Sequence, residues 1–383
     1  LVFSGETYAQ IPILALTDEA PVYRRPYLQR KKNDNNLECM FDKKPEEYGI
    51  KLLQSPTIAN KKWIYQQYDH QVQLGTVIGP GYNGALLRIT SARKYLSATV
   101  ACNSRYCELD PFVGAQLAVI ECARNLYSVG AVPAAITDCL NFGNPEVPEI
   151  MWQFIQSIEG IAQACNEFDI PVVSGNVSFY NQTGDSAIYP TPMIGMVGLN
   201  DNPHFDCKSN FVQENDYIYV TGNFSPTLDG SELLKLENIP LNGEPPSIDY
   251  HSLKHVFSLI LHLYNKKLMN SIHDASEGGF AIALAESCIM NEKHPIGAKT
   301  QLPGTGDTMN RLFGEHSDLF IFSVSPQNKN EVDDIISQYH NKAMFIGNVG
   351  GDNIIIQDSN AELLNISLTQ ARNSYFSGFS DVL

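Results

Sequence analysis

Nowhere does the sequence approach the roughly 18 consecutive apolar residues that a membrane-spanning helix needs. Basic residues are scarce as well: 26 Lys and Arg stand against 42 Asp and Glu, for a formal net charge of -16. Nucleic-acid binders show the reverse balance, a basic face or stripe, so neither a membrane nor a nucleic acid is expected as a partner. Phosphate groups would have to be held locally, by helix N-termini, backbone N–H groups or Mg²⁺. No C-x-x-C pair occurs among the eight cysteines, so buried thiols are expected rather than a cysteine metal site. Walker A, protein-kinase and G-x-S-x-G patterns are missing too. The first twenty residues carry Glu6, Asp18 and Glu19 without a long apolar run, so no signal peptide is expected and the location is read as cytoplasmic. The first residue is Leu1, not Met, from which a piece of a longer protein is expected.

What is present is a globular composition, 43% hydrophobic over 383 residues, enough for two cores. The expected division is an N-terminal strand region and connector over 1–47, one domain over 48–204 and a second over 205–383. The polar run Lys31–Glu47 reads as the connector, and the Asn- and Pro-rich stretch near Asn200–Ser209 as the boundary. Ala85–Ile89 and Leu96–Val100 read as paired strands. Ala115, Ala118, Val119, Cys122, Leu126 and Val129 recur at helical spacing, as do Met151, Phe154, Ile155, Ile158, Ala162 and Cys165. Helices and strands mix without a simple β-α repeat, so the class is α+β.

Gly79-Pro80-Gly81-Tyr82-Asn83-Gly84 matches G-x-G-x-x-G, but a β pattern follows where the dinucleotide motif needs a helix. A turn between strands is expected there. Two polar runs carry more: Asp138 to Glu146 after a strand at Ala134–Thr137, and Ser174 to Asn181 after one at Ile170–Val173. Both read as strand-end loops whose glycines admit a phosphate and whose oxygens suit Mg²⁺, or equally as plain turn chemistry. In His273-Asp274-Ala275-Ser276-Glu277-Gly278-Gly279, Ser276 reads as a helix N-cap. Asp274 and Glu277 read either as a metal pair or as charges favouring the helix start.

The runs Asp138–Glu146 with Met151-Trp152-Gln153-Phe154, and Pro171–Asn181 with Pro190-Thr191-Pro192, resemble the second half of small-type phosphoribosylformylglycinamidine synthases. Tyr68-Asp69-His70-Gln71, Asn103-Ser104-Arg105-Tyr106, Leu109-Asp110-Pro111 and Leu312-Phe313-Gly314-Glu315 extend the likeness from about Pro21 to Gly347. The resemblance implies an aminoimidazole ribonucleotide synthetase-like half: an N-terminal sheet-pairing domain, then a ferredoxin-like α/β domain. It implies the conversion of formylglycinamide ribonucleotide, ATP and glutamine-derived ammonia to formylglycinamidine ribonucleotide, ADP and phosphate. By the same resemblance Asp138 and Gly175 would contact ATP, Asn176 would ligate Mg²⁺ and Ser178 would contact the ribonucleotide. The catalytic histidine would lie in the other half, so no catalytic residue is assigned here. Partners implied are the N-terminal synthetase half, a glutaminase subunit and a small bridging subunit, with a homodimer of this half as a further form.

Three positions depart from the family pattern. Ala101 stands where an acidic residue is usual, Asn83 replaces an Asp in a turn, and Asp318 replaces an Arg. A second metal site is therefore not expected. Two other readings remain: a non-catalytic scaffold that completes a partner's site, and another ATP-using enzyme of the superfamily, such as a thiamine-phosphate kinase or selenophosphate synthetase.

Overall fold

The computed structural model describes residues 1–30, 41–222, 224–359 and 361–379. Most of the connector expected at Lys31–Glu47 lies outside them. The first sheet contains β1 (Thr76–Ile78), β2 (Ala85–Ile89), β3 (Lys94–Ala101), β4 (Val132–Asn141), β5 (Val172–Ser178) and β6 (Thr191–Asn200). Their spatial order is β1-β2-β3-β6-β4-β5. All neighbours are antiparallel except β4 and β5, which run parallel. The G-x-G-x-x-G stretch makes the turn between β1 and β2, as expected, with Gly81 at φ +96°.

One face of this sheet is covered by two helices, α3 (Pro111–Ser128) and α4 (Pro148–Phe168); a short α2 (Ser104–Leu109) precedes them. α3 starts where it does because Asp110 accepts hydrogen bonds from the N–H groups of Phe112 and Val113, both at 3.0 Å, with Pro111 pre-set in the first turn. Its six periodic apolar residues are all buried, as their spacing predicts. The face expected for α4 is displaced. Ile158 is 40% exposed and Ala162 is exposed, whereas Ser157, Gly160, Ile161 and Ala164 are buried. A Cβ at Gly160 would sit 2.2 Å from the Phe112 carbonyl oxygen. Small residues bring α4 against α3, and apolar spacing alone does not report that.

The second sheet is built from β7 (Tyr217–Thr221), β8 (Ser271–Asp274), β9 (Ala298–Gln301), β10 (Phe320–Val324), β11 (Ala343–Val349), β12 (Asn353–Asp358) and β13 (Ala361–Ser367), in the order β8-β10-β7-β11-β9-β12-β13. One side carries α5 (Tyr250–Asn265) and α8 (Lys329–Gln338). The other carries α6 (Gly279–Ile289), α7 (Thr308–Phe313) and α9 (Leu368–Ser377), together with α1 (Pro45–Leu53) from near the chain's start. Val256, Phe257 and Ile260 of α5 join Ala118, Cys122 and Leu126 of α3 in one core, so the two sheets share a helical layer. The class is α+β, as expected from the sequence.

Candidate functional site

The open face and the free edge of the first sheet meet at the parallel pair β4/β5. Its register sets Asp138 beside Gly175, Cys139 beside Asn176, and Asn141 beside Ser178. The residues expected in loops are therefore strand residues: β4 continues to Asn141 and β5 to Ser178. Polar residues persist in these strands because β5 is an edge strand exposed over nearly its whole length. Its side chains need no apolar partner there, so composition reads as loop while the backbone stays in the ladder.

Alternation along a strand splits the four expected residues between the two faces. Asp138 and Gly175 lie on the helix-covered side, where a Cβ at Gly175 would come within 2.3 Å of the Asp138 carboxylate. The carboxylate fills the space that a side chain would take. The Asn176 N–H donates to the same carboxylate, while partial burial raises the pKa of Asp138. Asn176 and Ser178 project to the opposite, open face, at the end of the same edge. Asp138 and Asn176 are thus joined through the backbone, not by their side chains.

Past the strands the two segments are stitched together. Phe142 N–H donates to the Ser178 carbonyl at 3.0 Å, Tyr180 N–H to the Gly143 carbonyl at 2.9 Å, and Asn181 N–H to the Phe142 carbonyl at 3.1 Å. The Asn181 side-chain amide donates to the carbonyls of Phe142 (3.1 Å) and Ser178 (2.9 Å) and to Ser178 Oγ (3.2 Å). Beneath them Phe154 of α4 packs edge-to-face on Phe142 and Phe179, with ring centroids 5.4 and 4.9 Å away. Asn181 stands in the polar run singled out from the sequence, but nothing in its type or spacing marks it as the residue that clamps the turn.

The His273–Gly279 constellation is arranged differently from the sequence reading. α6 begins only at Gly279, behind Gly278 in a left-handed conformation (φ +80°), so Ser276 is not its cap. Ser276 Oγ instead donates to Asp274 at 2.8 Å. Asp274 pairs with Arg124 of α3 at 2.9 Å, both side chains almost wholly buried. His273 contacts Glu286 at 3.0 Å. Among the described residues no group of three His, Cys, Asp or Glu side chains is placed to hold a metal. Ala101 is buried at the end of β3.

Glu315, which the sequence offered only as part of a run, lies at the junction of the two sheets' layers. Its carboxylate accepts the Tyr106 hydroxyl and, at 3.0 Å each, the N–H groups of Glu232 and Gly278. Burial, reinforced by Glu277 nearby, pushes its pKa up to about 7.

The N-terminal domain model of AIR synthase related proteins matches residues 81–200, and the C-terminal domain model matches 213–358. Phosphoribosylformylglycinamidine synthase subunit PurL of Caldanaerobacter subterraneus is 43% identical over 380 residues, 98% of this chain. The chain belongs to the phosphoribosylformylglycinamidine synthase family. It spans about half the length of the curated relatives it matches, 51% of the Caldanaerobacter protein. Among solved structures it resembles T. maritima PurL complexed with FGAR, with a TM-score of 0.69 at 16% identity over 85% of this chain and 53% of that one. T. maritima PurL complexed with ATP gives a TM-score of 0.65 at 16% identity, covering 86% and 52%. The aminoimidazole ribonucleotide synthetase-like fold expected from the motifs is the fold these likenesses share. No helix among the described residues is long and apolar enough to cross a membrane.

Proposed function

We propose that this chain is one half, the C-terminal one, of a synthetase that converts formylglycinamide ribonucleotide, ATP and ammonia to formylglycinamidine ribonucleotide, ADP and phosphate. The observation that carries the reading is a 43% identity sustained over 98% of the chain, with the family's polar runs gathered on one strand pair. In this reading ATP phosphorylates the amide oxygen, turning a poor leaving group into one that ammonia displaces. The protein's task is then to position and to neutralise charge.

Asp138 and Gly175 would take the nucleotide, with Gly175 leaving room for the Asp138 carboxylate that a side chain would displace. Ser178 would hydrogen-bond the ribonucleotide, kept in place by Asn181. Mg²⁺ would be held by the Asn176 amide oxygen. This fits an ion that takes one or two protein oxygens and otherwise phosphate oxygens and water. When bound, it neutralises phosphate charge.

The open face of the first sheet would receive the other half. Val100 at 68% exposure, with Met193, Val197 and Leu199 at 38–40%, lies bare there. The glutaminase and bridging subunits would supply ammonia to the joined halves, and a homodimer through the open face would be the form of this half alone. In this reading the domains divide at 204/205, supported by a first sheet that ends at Asn200 and a second that begins at Tyr217; α1, which the bounds 48–204 would put mostly in the first domain, packs with the second.

Reconstitution tests the reading. The isolated chain should show no ammonia-dependent ADP release with substrate, and should gain it when the N-terminal half is added. Asn176→Ala should then raise the Mg²⁺ requirement, and Ser178→Ala the Michaelis constant for the ribonucleotide. A joined enzyme in which both variants behave as wild type would remove β5 from the site.

A further inference from the structure

α5 carries His251, His255 and His262. The first two stand four residues apart, just over one helical turn, so their side chains rise from the same face. Their ring centroids are 4.5 Å apart, and the ring of His340, in a left-handed turn just past α8 (φ +56°), lies 4.7 Å from that of His255. Two turns further along α5, His262 Nδ1 meets the Tyr339 hydroxyl at 3.1 Å, which holds the end of α8 beside α5. The tautomer of His255 is set by its neighbour. Its Nδ1 lies 2.7 Å from the His251 carbonyl oxygen, which can only accept, so Nδ1 carries the hydrogen and Nε2 keeps its lone pair. A backbone carbonyl in this role is what orients the imidazole ligands of metal ions. His251 and His340 are exposed and His255 is half-buried, so an ion reaches all three from solvent. Lys254, the adjacent cation, is drawn aside into an ion pair with Glu167 at 2.7 Å.

We propose that His251, His255 and His340 form a surface site for a divalent zinc ion, with water as the fourth ligand. Zinc takes neutral imidazole nitrogens at about 2.0–2.1 Å in a tetrahedron, which sets the centroids of two ligand rings roughly 5 Å apart. The three rings already stand close to that spacing. Two histidines four residues apart on a helix are also the arrangement by which a helix chelates zinc. Among the described residues no trio of ligand side chains converges on one point as it stands. The site closes when the exposed rings of His251 and His340 turn about their side-chain bonds, a motion that exposed residues complete within nanoseconds. The ion then ties α5 to the end of α8, the two helices on one side of the second sheet. Imidazole donors favour zinc over Mg²⁺ and Ca²⁺, which take oxygen. None of these residues belongs to the β4/β5 edge, so the site does not rest on the proposed synthetase activity.

The test is a calorimetric titration of zinc chloride into the full chain, purified without a histidine tag, reduced and stripped with chelator. Expected is one ion per chain at this site, with affinity cut at least about tenfold by His251→Ala or His255→Ala and less by His340→Ala. Excess Mg²⁺ should not compete. Alanine is the best helix former and both α5 positions reach solvent, so these variants should fold, which circular dichroism checks. Zinc should also slow amide exchange over 339–342 in the unaltered chain and not in His340→Ala, because a ligand that ties the turn down suppresses its opening. The proposal is overturned if the chain binds no zinc, or if the His251 and His255 variants bind it as the unaltered chain does. It is equally overturned if affinity is lost in Cys102→Ser instead, which would put the ion on a thiol.

Discussion

Gly175 carries more constraint than its lack of a side chain suggests. The Asp138 carboxylate occupies the place of a Cβ, 2.3 Å from where that atom would sit, well inside any real contact. Asp138 is short and accepts the Asn176 N–H, so it cannot swing aside without losing that bond. Gly175→Ala should therefore leave the fold intact but raise the Michaelis constant for ATP in the joined enzyme by roughly tenfold, about 1.4 kcal/mol. Steady-state ADP release checks this, with circular dichroism as the control. Glu315 makes a different prediction. Its pKa is about 7 in the folded chain against 4.5 for the free side chain, so the folded state holds a proton that the unfolded state gives up. Stability from this group is full below about pH 4.5 and falls as the pH rises to about 7. The loss is roughly 3 kcal/mol at 1.4 kcal/mol per pKa unit. Glu315→Gln keeps the acceptor for the two backbone N–H groups and should flatten that fall. Urea midpoints at pH 5 and pH 8 would show it. A variant losing as much stability as wild type across the range would mean that another group is responsible.

At the scale of elements, α3 and α4 differ in how openly the sequence declares them. α3 announces itself by a capping Asp, a Pro and an unbroken apolar stripe, and its buried face is the expected one. The helical character of α4 is equally legible, but its orientation is not, because the contact is made by Ser157, Gly160 and Ala164. At Gly160 two effects compete. Alanine would gain about 1 kcal/mol in helix propensity, yet its Cβ would be driven to 2.2 Å from a backbone oxygen that has nowhere to go. The clash wins: Gly160→Ala should destabilise by about 1–3 kcal/mol net, seen as a lower denaturation midpoint. The same contrast explains the site. Its residues were readable as a polar run, but their strand conformation was not. Asn, Ser and Gly on a bare edge strand look like turn residues, and only the pairing partner distinguishes the two. The Ser276 reading failed for a related reason: two left-handed glycines, Gly278 and Gly279, start α6 without any side-chain cap.

For the whole molecule the decisive property is incompleteness. One face of the first sheet is buried under α3 and α4, while the other presents Val100, Val197 and Leu199 to water. An apolar face of this kind is the mark of an interaction surface. The isolated chain should accordingly self-associate in sedimentation, and Val197→Lys, at the middle of that face, should weaken association by at least about tenfold, since a buried unpaired ammonium costs more than 1.4 kcal/mol. A chain that stays monomeric at high concentration would show that this face is not sticky enough to hold a copy of itself. The fold class was legible through the family resemblance that the motifs carry. That the two units share one helical layer was not, because it depends on α3 and α5 meeting across more than a hundred residues of chain.

β5 has a cost that none of its individual residues reveals. Between Val172 and Ser178 it carries no proline and no charged residue, the devices by which free sheet edges are usually blunted, and among the described residues no strand pairs with its outer side. Such a strand is a template for stacking with copies of itself. Gatekeeper substitutions would be barred at Gly175, Asn176 and Ser178 under the proposed site, so the proposed chemistry and the aggregation hazard would occupy the same few residues. A partner that covers this edge would relieve the hazard in the same act that completes the site, and the chain's solubility during synthesis would depend on how soon that partner arrives.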